Sequence, residues 1–173
     1  MAAVHLHLLC HFPTFDPANG RVAAPPIRDY HWVMEYVCDA PGGKTWFRIE
    51  TEAEAQFESQ EMNHAVEKYF RREKERAGQT YRPTSASFIE RDIGLAAHLK
   101  LEMPIFLTLR NSEGSALATA MLPPRGEDNA GFRIIIVGRD NGDPYPAEAD
   151  AIAALGRHFG LELPRARCFP YGR

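Results

Sequence analysis

The residues best suited to chemistry lie near the start of the chain, where His5, His7 and His11 stand beside Cys10. Read as a strand, His5 and His7 are at i and i+2. Both rings then project to one side, roughly 7 Å apart at the backbone. Two imidazoles so placed can share a divalent metal such as zinc once a third ligand is found. Glu35 or His31 could supply it if their strand pairs with the first. The same alternation is also that of an ordinary strand face turned to water. A metal-dependent enzyme centred on His5 and His7 is therefore the second reading. Cys10 and His11 make no catalytic dyad, because adjacent strand residues point to opposite faces.

Other constellations are incomplete. Glu61 and His64 have the ExxH spacing of di-iron bundles, but those sites use two such motifs and only one occurs. At 100° per residue, His64 falls opposite the apolar stripe of its helix and is expected to face water. Lys68, Arg71, Arg72, Lys74 and Arg76, with the basic tail around Arg165 and Arg167, raise a nucleic-acid reading. Glu67, Glu73 and Glu75 interleave with the first set, and an acidic start with a basic end is what a helix dipole favours. Asp92 would matter only if its arc of helix were buried. The stretch from Gly138 to Asp143 has neither GxGxxG nor GxxxxGK[ST], and Asp140 and Asp143 would repel an anion. GxSxG, HExxH and SxxK are absent, so no catalytic set is complete.

These residues must be positioned by elements that the pattern indicates. Residues 4–10 alternate as a strand. Residues 30–38 and 45–50 read as a hairpin around Asp39-Ala40-Pro41-Gly42-Gly43. Thr51 and Glu54 form a capping box opening one long helix to about Ala77, with Ala55, Met62, Ala65, Val66, Tyr69 and Phe70 on its core stripe. Ser87 and Glu90 open a second helix toward Leu99. Strands over 103–110, 115–122 and 132–138 follow. The last of these, FRIIIVG, reads as the most buried. A helix runs from about Pro146 to Phe159 and stops at Gly160.

Strands that come in hairpins, without βαβ alternation, predict an α+β fold. The expected architecture is a mainly antiparallel sheet of about six strands with the helices packed on one face. The order could be a βββα duplication, with pseudo-repeat halves 1–78 and 87–160 and a tail over 161–173, all within a single domain 1–173.

Composition limits the function classes. The chain has 173 residues, is 45% hydrophobic and 25% charged, and has a net charge of −3. Those values exclude a disordered chain and give no overall pull toward nucleic acid. No apolar run reaches the length of a membrane span. Three cysteines without a CxxC pair, and no basic-then-apolar leader, suit reduced thiols in a cytoplasmic protein. The favoured reading is a non-catalytic binding or adaptor module. It would use an open sheet face bearing Trp46, Arg48, Glu35 and His31 to engage a protein partner, a second copy of itself or a small ligand. Trp46 alternates with Phe47, so one large aromatic should stand outside the helix-covered layer.

Overall fold

A computed structural model describes residues 34–172, together with the backbone of residues 15–16 and 21–22. The chain divides into two compact units, Met1–Trp32 and Val33–Arg173. In the first, β1 (Phe15–Asp16) pairs antiparallel with β2 (Arg21–Val22). The expected strand over 4–10, with His5 and His7, lies outside the described residues, as does His31.

The second unit is α+β. Its sheet has five antiparallel strands in chain order: β3 (Glu35–Ala40), β4 (Lys44–Ile49), β5 (Ile105–Arg110), β6 (Ala116–Leu122) and β7 (Ile135–Val137). The β3–β4 hairpin forms where its aromatic and β-branched residues indicated, with Gly42 and Gly43 at positive φ in the turn. The most buried strand is β5, all six of whose residues are buried, rather than the FRIIIVG segment. Only three residues of that segment pair as β7, at the sheet's end.

Thr51 caps the first helix as expected. Its hydroxyl accepts from Glu54 N–H, while the Glu54 carboxylate accepts from the N–H groups of Thr51 and Glu50. The single long helix does not form. It breaks into α1 (Glu52–Met62) and α2 (Val66–Thr80) at Asn63, which is left-handed with φ 51°. Asn tolerates that conformation, and its αL turn lets His64 N–H reach back to Ser59 C=O. The Ser59 hydroxyl then accepts from Glu67 N–H in the first turn of α2, so one residue helps to end one helix and start the next. Ser87 caps α3 (Phe88–Glu102), and α4 (Tyr145–Phe159) ends at Gly160, whose φ of 67° suits glycine.

The helices cover both faces of the sheet, not one. Alternation along β5 sends Leu107 and Leu109 toward Ala151, Ile152 and Leu155 of α4. It sends Phe106 toward Ala55 of α1 and Val66 and Phe70 of α2. A sheet wrapped on both sides needs central strands buried on both sides, and β5 and β6 supply them. The C-terminal segment docks on the same chain. Phe169 N–H donates to Ile134 C=O, Ile136 N–H donates to Phe169 C=O, and the bridge runs parallel to β7. No helix among the described residues is long and apolar enough to cross a membrane.

Candidate functional site

Trp46 corrects the expectation of an open aromatic face. It is fully buried on the α4 side of the sheet, and its indole N–H donates to Ala151 C=O at 2.9 Å. A bulge between Tyr36 and Cys38 shifts the hairpin register, and the aromatic left outside is Tyr36, 58% exposed. Glu35 and Arg48 do come together. They sit opposite each other across β3 and β4, with Arg48 Nε 3.9 Å from Glu35 Oε2. Lys100 approaches Glu35 and Glu50 at 3.5 and 3.4 Å. Partial burial works against the Glu35 charge. Even so, its hydrogen bond to Glu50 and the charges of Lys100 and Arg48 hold its carboxyl below the usual range. These charges, exposed except for half-buried Arg48, satisfy one another and present no vacant chemistry.

Four of the five basic residues of the helix are likewise ion-paired. Arg71 pairs with Glu67, Lys74 with Glu52, and Arg72 and Arg76 both with Glu73. In the tail Arg165 pairs with Asp143 and Arg167 with Asp128. Asp92 is exposed. Among the described residues no three His, Cys, Asp or Glu side chains could hold a metal ion.

The unusual chemistry lies between α1 and the sheet. Arg110, at the end of β5, is 1% exposed, and Glu58 of α1 is fully buried. The guanidinium donates to Glu58 Oε2 and to Glu61 Oε2, both at 2.5 Å, and to Gly114 C=O at 3.0 Å. The Phe57 ring stands 5.6 Å from its centre. Glu61 uses its other oxygen to accept from Ala116 N–H. One cation thus faces two carboxylates. Burial pushes the Glu58 carboxyl above its ordinary range, against the opposing pull of Arg110, and the neighbouring Glu61 charge adds to the rise.

From Glu58 the network continues outward. The Thr119 hydroxyl bonds Glu58 Oε1 at 2.5 Å and His64 Nε2 at 2.8 Å. His64 therefore faces the sheet and not water, because the break at Asn63 resets the helix that would have carried it outward. Burial pushes its imidazole below the ordinary histidine range. Its Nδ1 is buried without a hydrogen-bond partner. Glu61 and His64 are thus drawn to different partners and do not act as an ExxH pair.

The order of this chain matters chemically. In a nucleophile triad the carboxylate orients the imidazole, and the imidazole activates the hydroxyl. Here the carboxylate and the imidazole both address the hydroxyl, and Thr119 is only 4% exposed. This is the arrangement of a structural wall. Above it opens a cleft of about 200 Å³ between the start of α2, strands β6 and β7, and the docked tail. His64 and Thr119 line its polar corner. Val66, Phe106, Met121 and Ile135 make its apolar base, while Tyr69, Asn141, Phe169 and Pro170 complete its sides.

Sequence reasoning placed Val66 and Tyr69 on the core stripe but missed Glu58, Arg110 and Thr119. A signal was present: Ala55, Glu58 and Met62 follow i, i+3, i+7, so Glu58 shared the apolar stripe. Comparison of the chain with known protein families, curated proteins and solved structures finds no match, so these residues themselves carry the functional reading.

Proposed function

We propose that this protein is a non-catalytic binding module that takes a small ligand in the cleft between α2 and strands β6 and β7. The observation that carries this reading is the pairing of an apolar cavity of about 200 Å³ with a buried polar network at its wall. Pockets of this kind, with a few fixed polar groups in an apolar lining, are where ligands bind. The network fixes the wall, since Arg110 bonds Glu58 and Glu61, Glu58 bonds Arg110 and Thr119, and Thr119 bonds Glu58 and His64. The Glu–Thr–His order described above, with the hydroxyl in the middle, favours binding over nucleophilic catalysis. The free thiols of Cys38 and Cys168 fit a reducing, cytoplasmic setting.

A fragment screen followed by two-dimensional NMR tests the reading. Saturable shifts should concentrate on Val66, Met121 and Ile135. A screen containing neutral, anionic and cationic fragments that produces no saturable shift at those residues would refute it.

A further inference from the structure

Resting on the reading of the cleft as a ligand site, we propose that its ligand is an uncharged aromatic molecule of one or two rings carrying a single polar group. Size sets the first limit. A dry cavity of about 150 Å³ accommodates benzene, so a cleft of about 200 Å³ suits a molecule of benzene to indole size.

Charge sets the second. None of the described lining residues is an Asp, Glu, Lys or Arg. The nearest buried charges are already committed, Arg110 to Glu58 and Glu61, and Glu58 to Arg110 and Thr119. Two guanidinium groups stand against the rim, Arg72 at 4.9 Å from the Tyr69 ring and paired with Glu73, and Arg133 at 4.8 Å from the Phe169 ring. A ligand charge among the buried lining residues would lose its hydration with no counter-ion in the lining itself, which is costly.

Shape and polarity set the third. Phe106 lies at the base, already tilted against Phe70 with ring centroids 5.1 Å apart, and Tyr69 stands 36% exposed at the mouth. A flat ring entering between them gains edge-to-face contacts that an alkyl chain does not. Polar side-chain groups are few: the His64–Thr119 corner, the Tyr69 hydroxyl and exposed Asn141. The Thr119 hydroxyl already serves two partners, which leaves His64 Nδ1, buried without a hydrogen-bond partner, the Tyr69 hydroxyl and the Asn141 carboxamide to meet the polar group of the ligand.

Indole, indole-3-acetate and tryptamine form a neutral, anionic and cationic series on one ring. Calorimetric titration of each into the full chain is the test. Indole should bind saturably, and both charged analogues at least tenfold more weakly. Tyr69→Ala, which removes one side of the mouth from a partly exposed position, should weaken indole severalfold with an unchanged circular dichroism spectrum. Val66→Phe should block it by filling the base. If Val66→Phe does not fold, Tyr69→Ala decides. Equal or tighter binding of either charged analogue would overturn the uncharged-ligand proposal while leaving the cleft as the site. Indole affinity unchanged in Tyr69→Ala would place the ligand elsewhere. An absence of saturable binding by all three probes would overturn the proposal, and the fragment screen would then show whether the cleft reading falls with it.

Discussion

Toward α4, strand β5 presents Ile105, Leu107 and Leu109, which join Trp46, Ile152 and Leu155 in a dry layer. Toward α1 the same strand presents Phe106, Thr108 and Arg110, and the layer it enters holds Glu58, Thr119 and His64. Burial is equally complete on the two sides, since every residue of β5 is buried. What differs is how the burial is stabilised. The first layer is held by apolar area, at about 1.5–3 kcal/mol for each large side chain. The second depends on each polar group keeping its partner, because a buried charge that loses its partner is heavily penalised. The dry layer specifies shape. The polar layer borders the cleft. In the function proposed above, buried polarity marks the side that takes the ligand.

Substitutions can break that contrast. Arg110→Ala should have the largest effect, about 3–5 kcal/mol, because it strands the Glu58 and Glu61 carboxylates. Trp46→Ala should cost a similar amount, about 3–5 kcal/mol, but through an empty volume and a lost hydrogen bond. Chemical denaturation measures both. Acidification then separates them. Protonating the stranded carboxylates should recover part of the Arg110→Ala loss, whereas the Trp46→Ala loss should stay nearly constant. Equal pH behaviour of the two variants would erase the proposed difference between the layers.

Glu58→Gln should cost less, about 1–3 kcal/mol at neutral pH, because the amide keeps the shape and one acceptor. Its pH dependence has a definite sign. A carboxyl raised in the folded state takes a proton before the unfolded chain does, so acid favours the native form as the pH falls toward 4.5. Wild type should therefore gain on Glu58→Gln upon acidification. A gap that narrows instead would show that Arg110 outweighs burial.

His64→Gln should cost about 0.5–1.5 kcal/mol, the value of one hydrogen bond. Its sign is the reverse. The lowered imidazole stays neutral in the fold while the unfolded chain protonates, so wild type should lose its advantage as the pH falls through 6.5. The smallest effect belongs outside both layers. Arg48→Ala should change stability by less than about 1 kcal/mol, since its partners Glu35 and Glu50 are exposed.

Local signals in the sequence were legible. The Thr51–Glu54 box, the Ser87 cap and the Gly160 stop all act where their chemistry placed them, because each involves residues a few positions apart. The β3–β4 hairpin and the strands β5 and β6 were equally visible in their alternation. The helix break was not. Asn63 is tolerable in a helix, and only tertiary packing makes its left-handed turn preferable. That single turn also moved His64 from the water side to the sheet. The site was hidden for a related reason: Arg110 meets Glu58 across 52 positions. An arginine near a strand end reads as a polar terminus until its partner is known. Trp46 misled in the opposite sense, because alternation showed that Trp46 and Phe47 must part but not that both sides of the sheet would receive helices.

The two-sidedness of β5 also bears on how the sheet avoids assembling wrongly. Five antiparallel strands could pair one residue out of step and still satisfy most main-chain hydrogen bonds. Such a slip of β5 would turn Arg110 and Thr108 into the oily layer under α4 and lay Leu107 and Leu109 against Glu58. The misplaced Arg110 would then bear a naked charge and the misplaced Thr108 a hydroxyl among apolar side chains. A strand with two greasy faces would carry no such penalty. Arg110 and Glu58 thus act as a key that admits one alignment, and the geometry of the cleft is inherited from that choice.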